Sequence, residues 1–337
     1  MPVKVSQPDR LGNNQSIEAF PKQERLQRLR ERKAQADQLQ KIYRTSEEVH
    51  HRKYAERMFV CGRHLQLVPG TNGQGERDYR VHSLHCNVRF CPVCQAAKSE
   101  RAAREFAPVV AKIQGEFSGY RWLFLTITIR NVPPNKVRNA FTEILNPGFN
   151  RLVKRKAWPA EGWTVAREVT RSKQRKDAHP HLHVLMLVPP QYFESSYLSK
   201  DDWIELVQDA FRLDYRPAID VQAVKGRDEL QHAVLETFKY AVKSQDLVTD
   251  RSFCLTVTDQ MRGLRSRSNG GIFKKLLASM SDEDYPVDDV DEVDEVFKPD
   301  LDGEVIHLLW KRRLKRYERI ERWWDQPVLP WGHFMRN

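Results

Sequence analysis

The chain lacks what would place it in any of the simple special classes. Five cysteines among 337 residues are too few for a disulfide scaffold. With 15 glycines and 18 prolines it is neither collagen-like nor low in complexity. Its longest apolar run, Trp122 to Ile129, is interrupted by two threonines and is far too short to span a bilayer. The amino terminus, MPVKVSQPDR, has no apolar stretch of the kind a signal peptide needs. The expectation is a soluble, cytoplasmic protein with no membrane partner, large enough for two domains. Basic charge, by contrast, is plentiful. Lys and Arg number 56 against 45 Asp and Glu, a net of +11 with a pI near 9.4, which favours a polyanionic partner.

That net charge hides an asymmetry. Residues 281–300 (SDEDYPVDDVDEVDEVFKPD) hold ten acids and one lysine, so the rest of the chain carries +20. The run is expected to be a solvated linker; the sharper alternative is a segment that competes with DNA for the basic surface. Residues 20–58 have a thin apolar stripe (Leu26, Leu29, Ala36, Leu39, Tyr43) amid charges, which predicts a helix that packs on something else or lies on the surface. RWLFLTITIR (121–130), WTVAREVTR (163–171) and 181–188 read as strands, the last two joined by the basic turn SKQRKD. Helices are expected at 99–113, 135–155, 201–212 and 228–244, with a further strand at 219–224. This order predicts an α+β fold with a largely antiparallel sheet. Residues 301–337, rich in Arg and Trp, are expected to be helical. The predicted organisation is a helical extension (1–58), a cysteine module (59–98), a main domain (99–250) with a helical end (251–280), an acidic linker (281–300) and a basic helix (301–337).

Three groups of residues carry chemistry. Cys61, Cys86, Cys91 and Cys94 are spaced C-x24-C-x4-C-x2-C, which suits a closed tetrahedral Zn²⁺ site of structural role. His64, His82 and His85 lie near enough in sequence to replace one thiolate, whereas Cys254 reads as a small buried apolar residue. In HPHLHVLMLV (179–188), strand alternation puts His181 and His183 on one face and Leu182 and Val184 on the other. Two imidazoles at i and i+2 are half a divalent-metal site, and Glu168 on the preceding strand would complete it with room left for substrate oxygens on Mg²⁺ or Mn²⁺. In DELQHAVLETFKYAVKS (228–244), Glu236, Tyr240 and Lys243 fall within about 60° of one another on a helical wheel, away from Leu230, Val234, Phe238 and Ala241. A phenol flanked by a carboxylate and an ammonium suits an activated nucleophile.

FLTITIRN (124–131), HPHLHVLMLV (179–188) and ETFKYAVK (236–243), in that order and preceded by HCNVRFCPVC, resemble the three motifs of plasmid rolling-circle replication initiators of the HUH endonuclease superfamily. The resemblance covers about residues 59–275, including NGGIFKKLL. It implies a central antiparallel sheet flanked by helices, with His181, His183 and Glu168 on the catalytic cation. It also implies that Tyr240 nicks one strand of the plasmid origin, keeps a 5′-phosphotyrosine link and leaves a 3′-OH primer. Ala241 and Lys243 stand where a second tyrosine would fall, which marks a single-tyrosine enzyme. Glu236 would then activate water for the closing cleavage, and Lys243 would neutralise phosphate or phenolate. Implied partners are origin DNA, duplex and single-stranded, and the host helicase and polymerase. The rivals are an HUH transposase, a histidine-triad nucleotide hydrolase, and a non-catalytic zinc protein that only binds DNA.

Overall fold

The computed structural model describes residues 23–73, 75–172, 175–238, 242–280 and 298–321. Helices α1 (Gln23–Arg44) and α2 (Val49–Val60) lead into strands β1 (His64–Thr71) and β2 (Arg77–Ser83) and the long helix α3 (Pro92–Glu116). Strand β3 (Arg121–Thr128) is followed by α4 (Val137–Asn139), a π-helical turn (Ala140–Leu145) and α5 (Asn146–Leu152). The hairpin β4 (Gly162–Arg171) and β5 (Ala178–Val188) follows. Next come α6 (Gln191–Glu194), α7 (Lys200–Phe211), β6 (Ala218–Val224) and α8 (Gly226–Phe238). The chain continues through α9 (Ser244–Thr249), α10 (Arg251–Met261), β7 (Arg267–Gly270) and α11 (Gly271–Met280). It ends in β8 (Lys298–Pro299), β9 (Ile306–Lys311) and β10 (Arg316–Ile320). The expected α+β class holds: two antiparallel sheets are flanked by helices.

The larger sheet runs β6-β3-β5-β4-β7, with every pair antiparallel. Its strands alternate as their sequences dictate. Leu123, Leu125, Ile127, Leu182, Val184 and Met186 are buried on one face in the main core, together with residues of the π turn, α5, α7 and α10. The opposite face is divided. One end carries Trp122, Leu185 and Leu187 under an apolar roof of Phe106 and Val109 (α3), Leu230 and Phe238 (α8) and Phe273 (α11). The other end carries Thr126, Thr128, Glu168, His181 and His183, as the pairing register requires. Burial on both faces explains why β5 becomes continuously apolar after His183.

Several expected boundaries are corrected. The helix at 20–58 is two helices, because Thr45 Oγ1 bonds back to Lys41 and Ile42 carbonyls and the Ser46 hydroxyl accepts the Glu48 N–H. Helix α2 folds back on α1, where the Gln40 amide donates to the Ala55 carbonyl at 3.1 Å. The thin stripe does find its partner, and Tyr43 is wholly buried with its hydroxyl 2.8 Å from that of Thr258. The predicted helix at 228–244 does not run to 244: its described part is Gly226–Phe238, Val242 bridges to Val169, and Lys243 is the extended N-cap of α9. The helical end at 251–280 contains a strand, β7.

The largest correction is at the carboxyl end. Residues 306–320 are a hairpin, not a helix: Ile306, Leu308 and Trp310 alternate inward and meet Leu65, Leu67 and Tyr317. The long side chains of the run RRLK (312–315) favour helices, but it is the turn, with Lys315 at φ +50. The second sheet is β10-β9-β1-β2, with β8 paired to β1. Lys298–Pro299 of the expected linker therefore belong to a sheet, and β1 and β2 of the expected cysteine module share that sheet with β9 and β10. Residues 1–22, 281–297 and 322–337, and with them most of the acidic run and the Trp323–Trp324 pair, lie outside the described residues.

Candidate metal centres and catalytic face

The β4–β5 hairpin aligns the site residues through its register. Glu168 stands directly opposite His181, Ala166 opposite His183, and Thr126 of β3 on the other side of His183. Side chains paired across an antiparallel ladder share a face, so the three expected ligands converge. Glu168 Oε2 is 3.1 Å from His183 Nε2 and 3.4 Å from His181 Nε2. Both rings are oriented through their other nitrogen. His181 Nδ1 donates to the His179 carbonyl at 3.0 Å, and His183 Nδ1 lies 3.1 Å from the Thr126 hydroxyl. A carbonyl only accepts, so in neutral His181 the proton is on Nδ1 and the Nε2 lone pair faces a carboxylate oxygen. Two acceptors in contact are unfavourable unless a cation or a proton lies between them. Burial pushes the Glu168 carboxyl upward, but hydrogen bonds and charge from the two imidazoles outweigh it and hold the group well below the usual carboxylate range. The donor set, one carboxylate and two imidazoles with atoms within 4.8 Å of one another, fits a divalent cation. The sequence pattern brought out the three candidate ligands but not the groups that orient them. Thr126, opposite His183 in the register, is visible in sequence only as a threonine inside an apolar strand.

Tyr240 lies outside the described residues, as do Lys239 and Ala241. The residues on either side of them are placed. Phe238 ends α8 in the apolar roof, and Val242 runs parallel to Val169, next to Glu168 on β4. The Arg171 N–H donates to Asp246 at 2.9 Å and extends that alignment. Glu236 is half-buried on the last turn of α8, whereas Leu230, Val234 and Phe238 are buried as the wheel predicted. Lys243 is exposed and no longer on that helix, so the expected spacing of four and three along one helix does not apply to it.

Cys61 at the end of α2, Cys86 after β2, and Cys91 and Cys94 at the start of α3 form one buried cluster. Their Sγ atoms are 3.4 Å (Cys61–Cys94), 3.5 Å (Cys86–Cys94) and 3.6 Å (Cys61–Cys91) apart. These separations are far beyond a disulfide bond of ~2.05 Å. They approach the ~3.8 Å edge of a tetrahedron with Zn–S bonds of ~2.3 Å. Thiols packed this closely share protons: neighbouring S–H groups pull Cys94 far down, while Cys61 is raised by its three sulfur neighbours and by burial. Such a site favours a cation that replaces the protons, and the four sulfurs fit Zn²⁺. Of the three candidate histidines, His85 Nδ1 lies 3.7 Å from Cys94, outside the ligand set. His64 instead pairs with His307 at 3.0 Å, and His82 is on β2. Cys254 is buried in the main core, as expected.

A family model described as Replication protein (Rep_1) matches residues 80–318, which takes in the carboxyl-terminal hairpin beyond the residue 275 expected from sequence. A "Protein rep" of Bacillus amyloliquefaciens is 29% identical over 290 residues, covering 79% of this chain and 84% of its own length. A "Protein rep" of Lentilactobacillus hilgardii is 31% identical over 267 residues, covering 73% and 83% respectively. A "Replication protein" of Staphylococcus aureus is 32% identical over 222 residues, covering 62% of this chain and 94% of its own. No solved structure matches.

Proposed function

Since this chain belongs to the Rep_1 replication protein family, we propose that it initiates plasmid rolling-circle replication by nicking one strand of the origin through Tyr240. The observation that carries this reading is the convergence of Glu168, His181 and His183 on one face of the sheet. These three would hold Mg²⁺ or Mn²⁺, which supplies charge neutralisation and polarisation of the scissile phosphate. The chain's own residues do the rest. The His179 carbonyl and the Thr126 hydroxyl fix the imidazoles, and the apolar roof over Leu185 and Leu187 closes the far side of the face. Tyr240 Oη attacks phosphorus and forms a phosphotyrosine ester while the P–O3′ bond breaks. The phenolic proton is lost and the 3′ oxygen gains one, leaving a 3′-OH that primes the host polymerase. For the closing cleavage, Glu236 takes a proton from water, and Lys243 neutralises phosphate. Zn²⁺ on the four cysteines is structural. The setting is the cytoplasm, with a host helicase to separate the strands.

Incubating supercoiled plasmid that carries the candidate origin with the protein and Mn²⁺ tests this. The expected products are nicked circles with protein on the 5′ end, absent with Tyr240→Phe and with the double change His181→Ala/His183→Ala, while duplex binding persists. EDTA should abolish the reaction. An adduct formed by Tyr240→Phe would remove the nucleophile, and normal nicking by the double variant would remove the role of the histidine strand.

A further inference from the structure

Beside the catalytic face lies a cleft of about 400 Å³ that neither the metal sites nor the nucleophile accounts for. One wall is the loop between the second and third cysteines, and others come from α2, α3, the end of α8 and the start of β7. Its lining includes Arg57, Arg89, Lys98, Arg262 and Arg267, and no carboxylate. None of the five forms an ion pair within 4 Å among the described residues, although the charge of Glu105 does reach Arg267.

Arginines in half-buried positions usually find carboxylates or enough carbonyls. Here they do not. Arg89 donates to the Leu264 carbonyl at 2.5 Å and to the Ser266 hydroxyl at 3.2 Å, yet its Nε is buried without a partner. Nη1 of Arg267 is likewise buried and unpartnered. Position supplies the direction. Arg267 pairs with Ala166, which pairs with His183, so all three share the catalytic face. Its guanidinium lies 4.9 Å from the ring of Phe238, the last residue of α8 before the segment that bears Tyr240.

We propose that this cleft binds the sugar-phosphate backbone of single-stranded DNA next to the scissile bond, so that the zinc-held loop and β7 together guide the strand to the catalytic face. The proposal rests on the nicking function above. A strand of phosphodiesters fits guanidiniums that face no carboxylate, and the cleft is too small for a duplex. Of the aromatic rings in the lining, Tyr43, Phe90 and Phe238 are buried and only Tyr54 is partly exposed, so the contact is chiefly with backbone and largely indifferent to sequence.

The test reverses two exposed cations, Lys98→Glu with Arg262→Glu, beside a control pair on the β9–β10 turn, Arg313→Glu with Lys315→Glu. Binding of a single-stranded origin oligonucleotide and of a duplex is measured across salt concentrations, with thermal melting and zinc content as checks on folding. The cleft variant should melt normally and keep its zinc. It should lose tenfold or more in single-strand affinity at ~0.1 M salt, with a log–log salt slope reduced by about 1.4, or ~0.7 for each of two phosphates. Duplex affinity and the control pair should change far less. Wild-type affinity and slope in the cleft variant would overturn the proposal, as would equal losses in the control pair or on duplex. Failure of the nicking reading looks different: wild-type protein would then leave supercoiled origin intact, whatever the oligonucleotide data show.

Discussion

Glu168 and His181 show how a single ladder position decides chemistry. Shifting the β4–β5 pairing by one residue would send Glu168 to the core face and leave the imidazoles without a carboxylate. Asp250 fixes a different corner of the same hairpin. Its carboxylate caps α10 by accepting the Phe253 N–H at 3.0 Å and pairs with Arg171 of β4 at 2.9 Å. The backbone hydrogen bond from Phe253 leads the causes that hold its pKa below the usual 3.8, while partial burial opposes them. Because the folded value is the lower one, the stabilisation is fully present above the ordinary carboxylate range and is lost as pH falls through the folded value. Asp250→Ala should therefore cost about 1–2 kcal/mol at neutral pH. Denaturation of the two proteins across pH should show that gap closing below the usual 3.8; a gap independent of pH would contradict the assignment.

At the scale of elements, the approach of β7 and α11 to β4 depends on a pair of glycines. Gly271 has φ +58, and a Cβ there would sit 1.9 Å from the Glu161 carbonyl oxygen, which accepts the Ile272 N–H at 2.9 Å. A Cβ on Gly270 would collide with Trp163 at 2.3 Å. Gly263 also has positive φ, +75, but open space around it. Gly271→Ala should thus combine left-handed strain with overpacking, at about 3 kcal/mol or more, whereas Gly263→Ala should cost only ~1–2 kcal/mol. Urea midpoints at unchanged slope measure both. Equal costs would mean that the close approach to Glu161 does not matter. The carboxyl-terminal hairpin shows the same dependence on a partner. Trp310 Nε1 donates to Asp37 of α1 at 2.7 Å, Arg312 forks onto the same carboxylate, and the Tyr317 hydroxyl donates to the Gly62 carbonyl beside Cys61.

Across the whole molecule, the cysteine cluster lies where α2, the end of β2 and the start of α3 meet, between the two sheets. The Arg57 guanidinium donates to the Cys86 carbonyl, and the Gln95 amide donates to the Arg89 carbonyl at 2.5 Å. If Zn²⁺ holds the four cysteines as proposed, losing it would free this junction and, with it, one wall of the basic cleft. Purified protein should carry about one zinc per chain, since site formation and folding are coupled. Cys91→Ser should be poorly soluble and zinc-deficient, and chelation should lower the melting temperature. Absence of zinc from well-folded wild-type protein, by elemental analysis, would refute the structural role.

Much of the site was legible in the chain itself. Period-two alternation put His181 and His183 opposite Leu182 and Val184, the short turn returned Glu168 to them, and cysteine spacing drew four thiols together, because each relation is set within a few residues or by one turn. The helical stripe of Leu230, Val234 and Phe238 likewise needed only the helical period. Where local propensity and long-range pairing disagreed, only the tertiary structure decided. Residues 306–320 have the long charged side chains of a helix, yet β1 offered an unpaired edge and Leu65 and Leu67 an apolar face, and the hairpin filled both. Val242, expected on the helix of Tyr240, instead bridges Val169 of β4, beyond Ala166 where the pairing with β7 stops. The basic cleft has no sequence signature, since Arg57, Arg89 and Arg267 come from three distant segments. Hydrogen-bonding edges and burial are satisfied by whichever segment the fold brings near, and that is not written in any one stretch of chain.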